Sequence, residues 1–273
     1  MSRLPTYYVS HGGGPWPWMR EQTGGRYDRL EASLQAMAKA HEGQVRAILM
    51  VTAHWETPGF ELSSSPQPGM IYDYYGFPAH TYEVHYRAPG SPELAQRALD
   101  LLQAGGVAAS LDPERGFDHG TFSALQAAYP EAQIPVVQLS VLQSFDPAAH
   151  IAAGRLLAPL RDEGVLIIGS GLSYHNLRLL NAAGTVPSQQ FDAWLRQTLT
   201  ASTPAEREAQ LLQWERAPAA RIAHAREDHL IPLMVAVGAA HNEVGTCVYH
   251  EDLFMGVVAA SSFRFGEVVG AAA

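Results

Sequence analysis

Short apolar runs that alternate with segments of helical spacing most constrain the fold of this 273-residue chain. Residues 47–53, 135–141 and 165–168 are largely apolar, which is typical of strands buried on both faces of a parallel sheet. Residues 27–41 and 93–104 carry apolar side chains at helical spacing. The alternation predicts an α/β fold in which helices flank a central, mostly parallel or mixed sheet.

Weaker patterns predict the remaining elements. Further strands are predicted at residues 60–64, 82–86, 107–111, 244–249 and 261–265, and further helices at residues 123–129, 148–163, 191–200 and 205–214. A last apolar helix, reaching residue 238, is predicted to carry Glu227, Asp228 and His229 in its first turn. Because no linker or repeat divides the chain, residues 1–273 are expected to form a single domain.

The composition excludes several classes of protein. A net charge of −9 without a basic stripe argues against nucleic-acid binding. A single cysteine, Cys247, excludes an intrachain disulfide and a cysteine-based zinc cluster. Residues 1–7 lack the apolar segment of a secretory signal, and no apolar run reaches about 18 residues. We therefore expect a cytoplasmic protein without a membrane span, and the sequence leaves a homo-oligomer open.

Histidines at the ends of the predicted strands are the main functional signal. His11 and His54 each follow a predicted strand directly, and His175 follows another after a stretch of small residues. Because the carboxyl ends of parallel strands meet at one edge of a sheet, these imidazoles are expected at the same edge. His229 lies at the start of the last apolar helix, and His119 precedes a helix that either Asp118 or Thr121 would cap. The remaining histidines are interpreted as structural or solvated: His41, His80, His85, His150, His224, His241 and His250.

Residue type and position together favour a metal centre at this edge. Neutral imidazole is a common ligand of iron and zinc, and three protein ligands with open positions mark a catalytic site. Near a helix N-terminus, the helix dipole disfavours a protonated imidazole, so His119 is a usable general base. Gly12, Gly120 and Gly171 are expected to leave space beside the histidines. The chain carries neither a phosphate-binding loop nor a Gly-x-Ser-x-Gly nucleophile motif.

Six motifs, in this order along the chain, resemble those of the class III extradiol ring-cleavage dioxygenases, and of the DOPA-type branch in particular. The motifs are residues 10–15 (SHGGGP), 52–56 (TAHWE), 71–78 (IYDYYGFP), 116–120 (GFDHG), 169–177 (GSGLSYHNL) and 228–233 (DHLIPL). The resemblance implies a non-haem metal-dependent enzyme that opens a catechol-type ring with O₂. It also implies a small aromatic diol as substrate and Fe(2+) or Zn(2+) as the metal.

The resemblance assigns the site residues. His11 and His54 match two metal ligands of the family, and His229 matches the third ligand of the DOPA-type branch, with Glu227 as a rival. His175 matches a residue that is either a further metal neighbour or an acid/base group, and His119 matches a second pocket histidine.

Proton transfer is assigned to His175 first and to His119 second. A planar substrate is expected to stack on Tyr72, Tyr74 or Trp55. Two alternatives remain open: a zinc-dependent hydrolase on the same histidines and a non-catalytic binding protein that shares the fold.

Overall fold

Eight strands form one mixed sheet in the computed structural model, which describes residues 3–268. They are β1 (Thr6–Ser10), β2 (Ala47–Thr57), β3 (Phe60–Ser63), β4 (Ala109–Asp112), β5 (Val136–Leu142), β6 (Val165–Gly171), β7 (Gly245–Phe254) and β8 (Val258–Phe265). Their order across the sheet is β4-β3-β5-β2-β6-β1-β8-β7. The central strands β5, β2, β6 and β1 are parallel, whereas β8 pairs antiparallel with both β1 and β7. The predicted α/β class with a mixed sheet is confirmed.

Helices of varied length connect these strands. They are α1 (Arg20–Thr23), α2 (Asp28–Ala40), α3 (Pro92–Ala104), α4 (His119–Ala128), α5 (Pro147–Leu157), α6 (Ala182–Ala201), α7 (Pro204–Leu211), α8 (Ala220–Ala223) and α9 (Ile231–Ala239). Short 3₁₀ helices lie at Trp16–Trp18, Ala79–Tyr82, Ala158–Glu163, Leu177–Leu179 and Trp214–Arg216. No helix within residues 3–268 is long and apolar enough to cross a bilayer. The predicted domain limits at residues 1 and 273 lie outside the described residues.

Two adjacent residues of β6 show that helices cover both faces of the sheet. Ser170 donates a hydrogen bond to the carbonyl of Gly120 in α4 at 2.6 Å. A Cβ added at Gly169 would lie 2.4 Å from the carbonyl oxygen of Pro232 in α9. Because successive side chains of a strand point to opposite faces, α4 and α9 lie on opposite sides of β6. The residues at the carboxyl end of β6 are therefore enclosed from both sides.

Helix α9 is apolar on every side and is buried along its whole length. It packs between the sheet and α5, and the two helices cross closely at glycines: a Cβ at Gly154 would lie 2.3 Å from the carbonyl oxygen of Val235. Full burial of a Leu, Val or Met side chain contributes about 1.5–3 kcal/mol. The start of α9, beside His229, is therefore held in place by core packing.

One predicted strand, at residues 82–86, is wrong. This segment contains the end of a 3₁₀ helix and then irregular backbone. Its backbone groups bond to side chains rather than to a strand: the Tyr72 hydroxyl donates to the Val84 carbonyl at 2.8 Å, and the Tyr86 N–H donates to the Met70 sulfur at 3.5 Å. Alternating polarity alone did not reveal that this segment has no strand to pair with.

The predicted first turn of the last helix is also wrong. Glu227, Asp228 and His229 lie before α9, which begins at Ile231. Pro232 has no N–H to donate to the carbonyl of Asp228, so the residues before it form a turn. In the same way, the helix predicted at 148–163 ends as α5 at Leu157 and continues as a 3₁₀ helix around Pro159. The helix predicted at 123–129 instead begins earlier, at His119.

Candidate metal centre

Three histidines from distant parts of the chain converge on one point. His11 follows β1, His54 lies in β2, and His229 lies in the turn before α9. One ring nitrogen of each lies within 4.8 Å of the others, and the Nε2 atoms of His11 and His54 are 3.3 Å apart. Two nitrogens bound about 2.05 Å from a tetrahedral ion would be separated by about 3.3 Å. The three imidazoles therefore fit a single cation.

The parallel sheet brings the first two of these histidines to its carboxyl edge. Strand β6 pairs with β1 up to Ser10 and with β2 up to Thr52, so His11 and His54 extend from its two neighbours. Strand β2 runs on to Thr57 after a register shift against β5, so His54 lies inside a strand rather than after its end. His54 nevertheless lies at the carboxyl edge of the sheet, as expected, because the pairing of β2 with β6 ends at Thr52.

Each of the three imidazoles has an oxygen near its other nitrogen. The Ser170 hydroxyl donates to the Gly120 carbonyl, so it accepts from His11 Nδ1–H at 3.1 Å. His229 Nδ1–H donates to Asp228 Oδ2 at 2.9 Å, and His54 Nδ1 lies 3.2 Å from Asp73 Oδ2. Such contacts select the tautomer whose Nε2 carries a free lone pair, which is the form that binds a metal.

Burial keeps these imidazoles neutral. It lowers the pKa of His11 and of His229 well below the ordinary range, and the neighbouring histidines lower both further. Burial, followed by the proximity of His119, lowers the pKa of His54 to about 3. At neutral pH all three are therefore in the uncharged form that can donate a lone pair to a cation.

His119 forms a pair with Asp73 at the side of this centre. It is the first residue of α4, whose N-cap Asp118 accepts from the N–H of Thr121 at 3.2 Å. Its Nδ1–H and its backbone N–H both donate to Asp73 Oδ1, at 2.8 and 3.0 Å. Its ring lies 4.0 Å from that of His54. Burial alone would raise the pKa of Asp73, but the hydrogen bonds from His119 and the proximity of His119 and His54 outweigh it and lower that pKa.

His175 stacks on His229. The two rings are 3.4 Å apart with an interplanar angle of 16°. His175 Nδ1 is 3.9 Å from Asp228 Oδ1, which is too far for a hydrogen bond. That oxygen is buried and has no hydrogen-bond partner. His175 is thus next to the converging histidines but belongs to a separate group with Asp228 and His229.

Sequence reasoning did not single out Asp73, Asp228 or Ser170, although all three lie within the six motifs. They could have been sought as hydrogen-bond acceptors for the second ring nitrogen of each candidate histidine. A ligating imidazole usually donates its other N–H to a carboxylate, carbonyl or water, so each candidate ligand needs an acceptor nearby. Asp228 is adjacent to His229 in sequence, but Asp73 and Ser170 are distant from the histidines that they contact.

The expected role of the glycines beside the histidines is wrong. A Cβ added at Gly120 would lie 2.8 Å from His54 Cδ2, and one at Gly171 would lie 2.0 Å from the His229 carbonyl oxygen. At Gly12, where φ is +81°, it would lie 2.4 Å from Trp16 Nε1. These glycines therefore allow the elements that carry the histidines to pack together, rather than leaving open space.

Replacing Gly171 by alanine is expected to displace His229. The added methyl group would meet the backbone carbonyl of His229, so the unfolding free energy should fall by about 1–3 kcal/mol, with weaker metal retention. Urea denaturation and metal content after dialysis would measure both effects. Gly69→Ala is the control, because nothing lies within 4 Å of its added Cβ, and its stability should change by less than about 0.5 kcal/mol. Unchanged stability and metal content in Gly171→Ala would contradict the expectation.

The aromatic residues expected to bind substrate differ in their positions. Tyr72 is half-buried, and its hydroxyl already donates a hydrogen bond to the Val84 carbonyl. Tyr74 lies closer to the histidines, with its ring 5.8 Å from that of His119. Trp55 is buried beneath the Arg115 guanidinium, 4.9 Å above its ring, and follows His54 in β2, so its side chain points to the other face.

Other residues considered from the sequence lie away from the converging nitrogens. The Glu227 carboxylate accepts from Arg221 at 2.6 Å and is in none of the three histidine and carboxylate groups of the described chain. The seven histidines interpreted as structural or solvated are likewise absent from these groups. His41, for example, is buried against the Tyr7 hydroxyl at 2.7 Å.

The fold and the histidine centre together define a non-haem, metal-dependent enzyme. Residues 5–265 match the family described as the catalytic LigB subunit of aromatic ring-opening dioxygenase, and the chain belongs to this family. The protein is therefore an extradiol ring-cleaving dioxygenase that acts on an aromatic substrate with O₂. The resemblance predicted from the six motifs is confirmed, and neither the hydrolase nor the binding-protein alternative is favoured.

The similarity to known proteins extends over nearly the whole chain. A 4,5-DOPA dioxygenase extradiol from Beta vulgaris is 38% identical, covering 95% of this chain and 96% of its own length. Dioxygenase tasH from Hapsidospora irregularis is 36% identical over 94% of this chain and 84% of its own. A 4,5-DOPA dioxygenase extradiol from Escherichia coli (strain K12) is 33% identical over 97% and 96%. The crystal structure of an uncharacterized protein from Escherichia coli K12 superposes with a TM-score of 0.73 at 29% identity, covering 97% of this chain and 100% of that one.

Proposed function

We propose that this dioxygenase opens the ring of a small catechol beside its two hydroxyls, and that His11, His54 and His229 hold its metal ion. The convergence of three neutral imidazoles, each with an acceptor near its second nitrogen, carries this proposal. The relatives named 4,5-DOPA dioxygenase extradiol support a catechol with a DOPA-like side chain.

Iron(II) is the metal that we propose. Three imidazoles suit both iron and zinc, and this part of the described chain offers no thiolate that would favour zinc. Zinc has no redox chemistry. Iron(II) held by His11, His54 and His229 would instead supply redox chemistry that passes electrons from the catechol to O₂.

The residues around the ion would bind the catechol and move its protons. Because His119 donates its Nδ1–H to Asp73, its Nε2 is free to accept a proton from a catechol hydroxyl. His175, stacked on His229, would return a proton as the ring opens. The ring of Tyr74 would form one wall for the planar substrate, whereas the predicted substrate contacts of Tyr72 and Trp55 stay predictions.

An anaerobic experiment tests this proposal. The protein is loaded with iron(II), mixed with L-DOPA without oxygen, and then exposed to ¹⁸O₂. We expect a coloured ring-opened product only after oxygen is admitted, with two ¹⁸O atoms in the primary product by mass spectrometry. The same protein loaded with zinc is the control and should give none. A product formed without oxygen, or equal turnover with zinc, would overturn the proposal.

A further inference from the structure

Two aspartates each lie between one proposed metal ligand and one proposed proton-transfer histidine. Asp73 contacts His54 and His119, and Asp228 contacts His229 and faces His175. The two arrangements come from unrelated segments of the chain, a loop before α3 and the turn before α9. Each carboxylate can therefore act on metal binding through one imidazole and on proton transfer through the other.

The two arrangements differ in whether both carboxylate oxygens lie close to an imidazole nitrogen. Asp73 Oδ1 accepts both the Nδ1–H and the backbone N–H of His119, while Oδ2 lies 3.2 Å from His54 Nδ1. Asp228 uses only Oδ2, on His229, and its buried Oδ1 has no partner. A buried carboxylate oxygen without a donor is costly, so a donor within reach should be drawn to it.

The imidazole of His175 lies close to that oxygen. Its Nδ1 is 3.9 Å away, and a shift of about 1 Å would bring it to hydrogen-bond distance. Its ring lies flat on that of His229, so it can slide toward Asp228 without losing the stacking contact. With Nδ1–H on Asp228, His175 would keep its Nε2 free for the substrate.

Resting on the function proposed above, we propose that the two aspartates are positioning residues with different tasks. Asp73 selects the metal-binding tautomer of His54 and holds His119 in place before substrate arrives. Asp228 holds His229 with one oxygen and offers the other to His175, which turns onto it to take part in proton transfer. His119 is thus preset, and His175 is the histidine that moves.

Asparagine variants separate these tasks because an amide has one accepting and one donating end. In Asp73→Asn, the amide oxygen should stay on the two donors of His119, so the amide NH₂ faces His54 Nδ1. His54 must then carry its proton on Nε2, which blocks metal binding. In Asp228→Asn, the amide oxygen should stay on His229, and the NH₂ then faces His175 Nδ1 and forces the other tautomer there.

The two variants should therefore fail in opposite ways. We expect Asp73→Asn to lose metal affinity by about 10–100-fold while keeping near wild-type kcat per bound iron. Asp228→Asn should keep its metal within a few-fold and lose kcat by about 10–100-fold, with little change in KM. Equilibrium dialysis with iron(II) and zinc measures affinity, and anaerobically prepared enzyme with L-DOPA measures kcat and KM.

A readout independent of turnover completes the test. Long-range ¹H–¹⁵N spectra of the diamagnetic zinc form, recorded with L-DOPA bound, report which ring nitrogen of each histidine is protonated. We expect the proton of His175 to move from Nδ1 to Nε2 in Asp228→Asn, with His229 unchanged. Asp192→Asn is the matched control: Asp192 is a buried aspartate 3.2 Å from a histidine outside the centre, His250. It should alter neither metal affinity nor kcat.

The outcomes distinguish this inference from the function on which it rests. If the wild-type protein binds metal and cleaves the ring, but both asparagine variants keep affinity and kcat, the inference fails and the proposed function stands. Equal loss of metal in both folded variants, or an unchanged His175 tautomer in Asp228→Asn, overturns the division of tasks. A wild-type protein that binds no metal overturns both. Thermal unfolding of each variant identifies one that has not folded, in which case Asp228→Glu and Asp73→Glu, which keep two accepting oxygens, should restore the affected property.

Discussion

Replacing His54 by alanine is expected to abolish metal retention and ring cleavage together. His54 supplies one of the three nitrogens that converge at this centre, and its Nε2 is 3.3 Å from that of His11. The variant keeps two of the three ligands. Catalytic metal sites generally need three protein ligands, so the cation should bind too weakly to be retained. Metal content after dialysis, measured beside activity on the same preparation, should fall to background.

The control for this variant is His85→Ala, since His85 is an exposed histidine outside the centre. It should keep both metal and activity. Full activity of His54→Ala would falsify the ligand assignment. A His54→Ala protein that keeps stoichiometric metal but has no activity would also contradict it, because His54 would then act in catalysis rather than in binding.

Replacing His119 by alanine should have the opposite signature: metal retained and turnover lost. The nitrogens of His11, His54 and His229 remain in place, and Asp73 keeps its contact with His54. The lost group is the free Nε2 that would take a proton from the catechol. General acid–base groups typically contribute 10²–10⁴-fold, so kcat should fall by about that factor.

Metal analysis and steady-state kinetics on His119→Ala, with His85→Ala again as the reference, check this expectation. Loss of metal from His119→Ala would show that the histidine belongs to the ligand set. Retention of wild-type kcat would show instead that the catechol loses its proton without it, and that His175 or solvent accepts that proton.

The local patterns in the sequence predicted most of the elements and the chemistry of the site. Apolar runs correctly predicted β2, β5 and β6, because strands buried on both faces are apolar along most of their length. The histidines following such runs predicted the edge at which His11 and His54 meet. The failures were also local: the alternating segment at 82–86 has no strand to pair with, and Pro232 delays the start of α9 beyond His229.

By itself, the sequence determined the alternation of strands and helices, the set of candidate histidines and, through six short motifs, the family. Only the tertiary structure decided how those histidines are supported. His11 contacts Ser170 159 residues away, and His119 contacts Asp73 46 residues away. It also decided that both oxygens of Asp73 lie against histidines, while one buried oxygen of Asp228 has no hydrogen-bond partner. The physical reason is range: strand and helix signals arise between near neighbours in the chain, whereas a hydrogen bond of 3 Å depends on how whole elements pack.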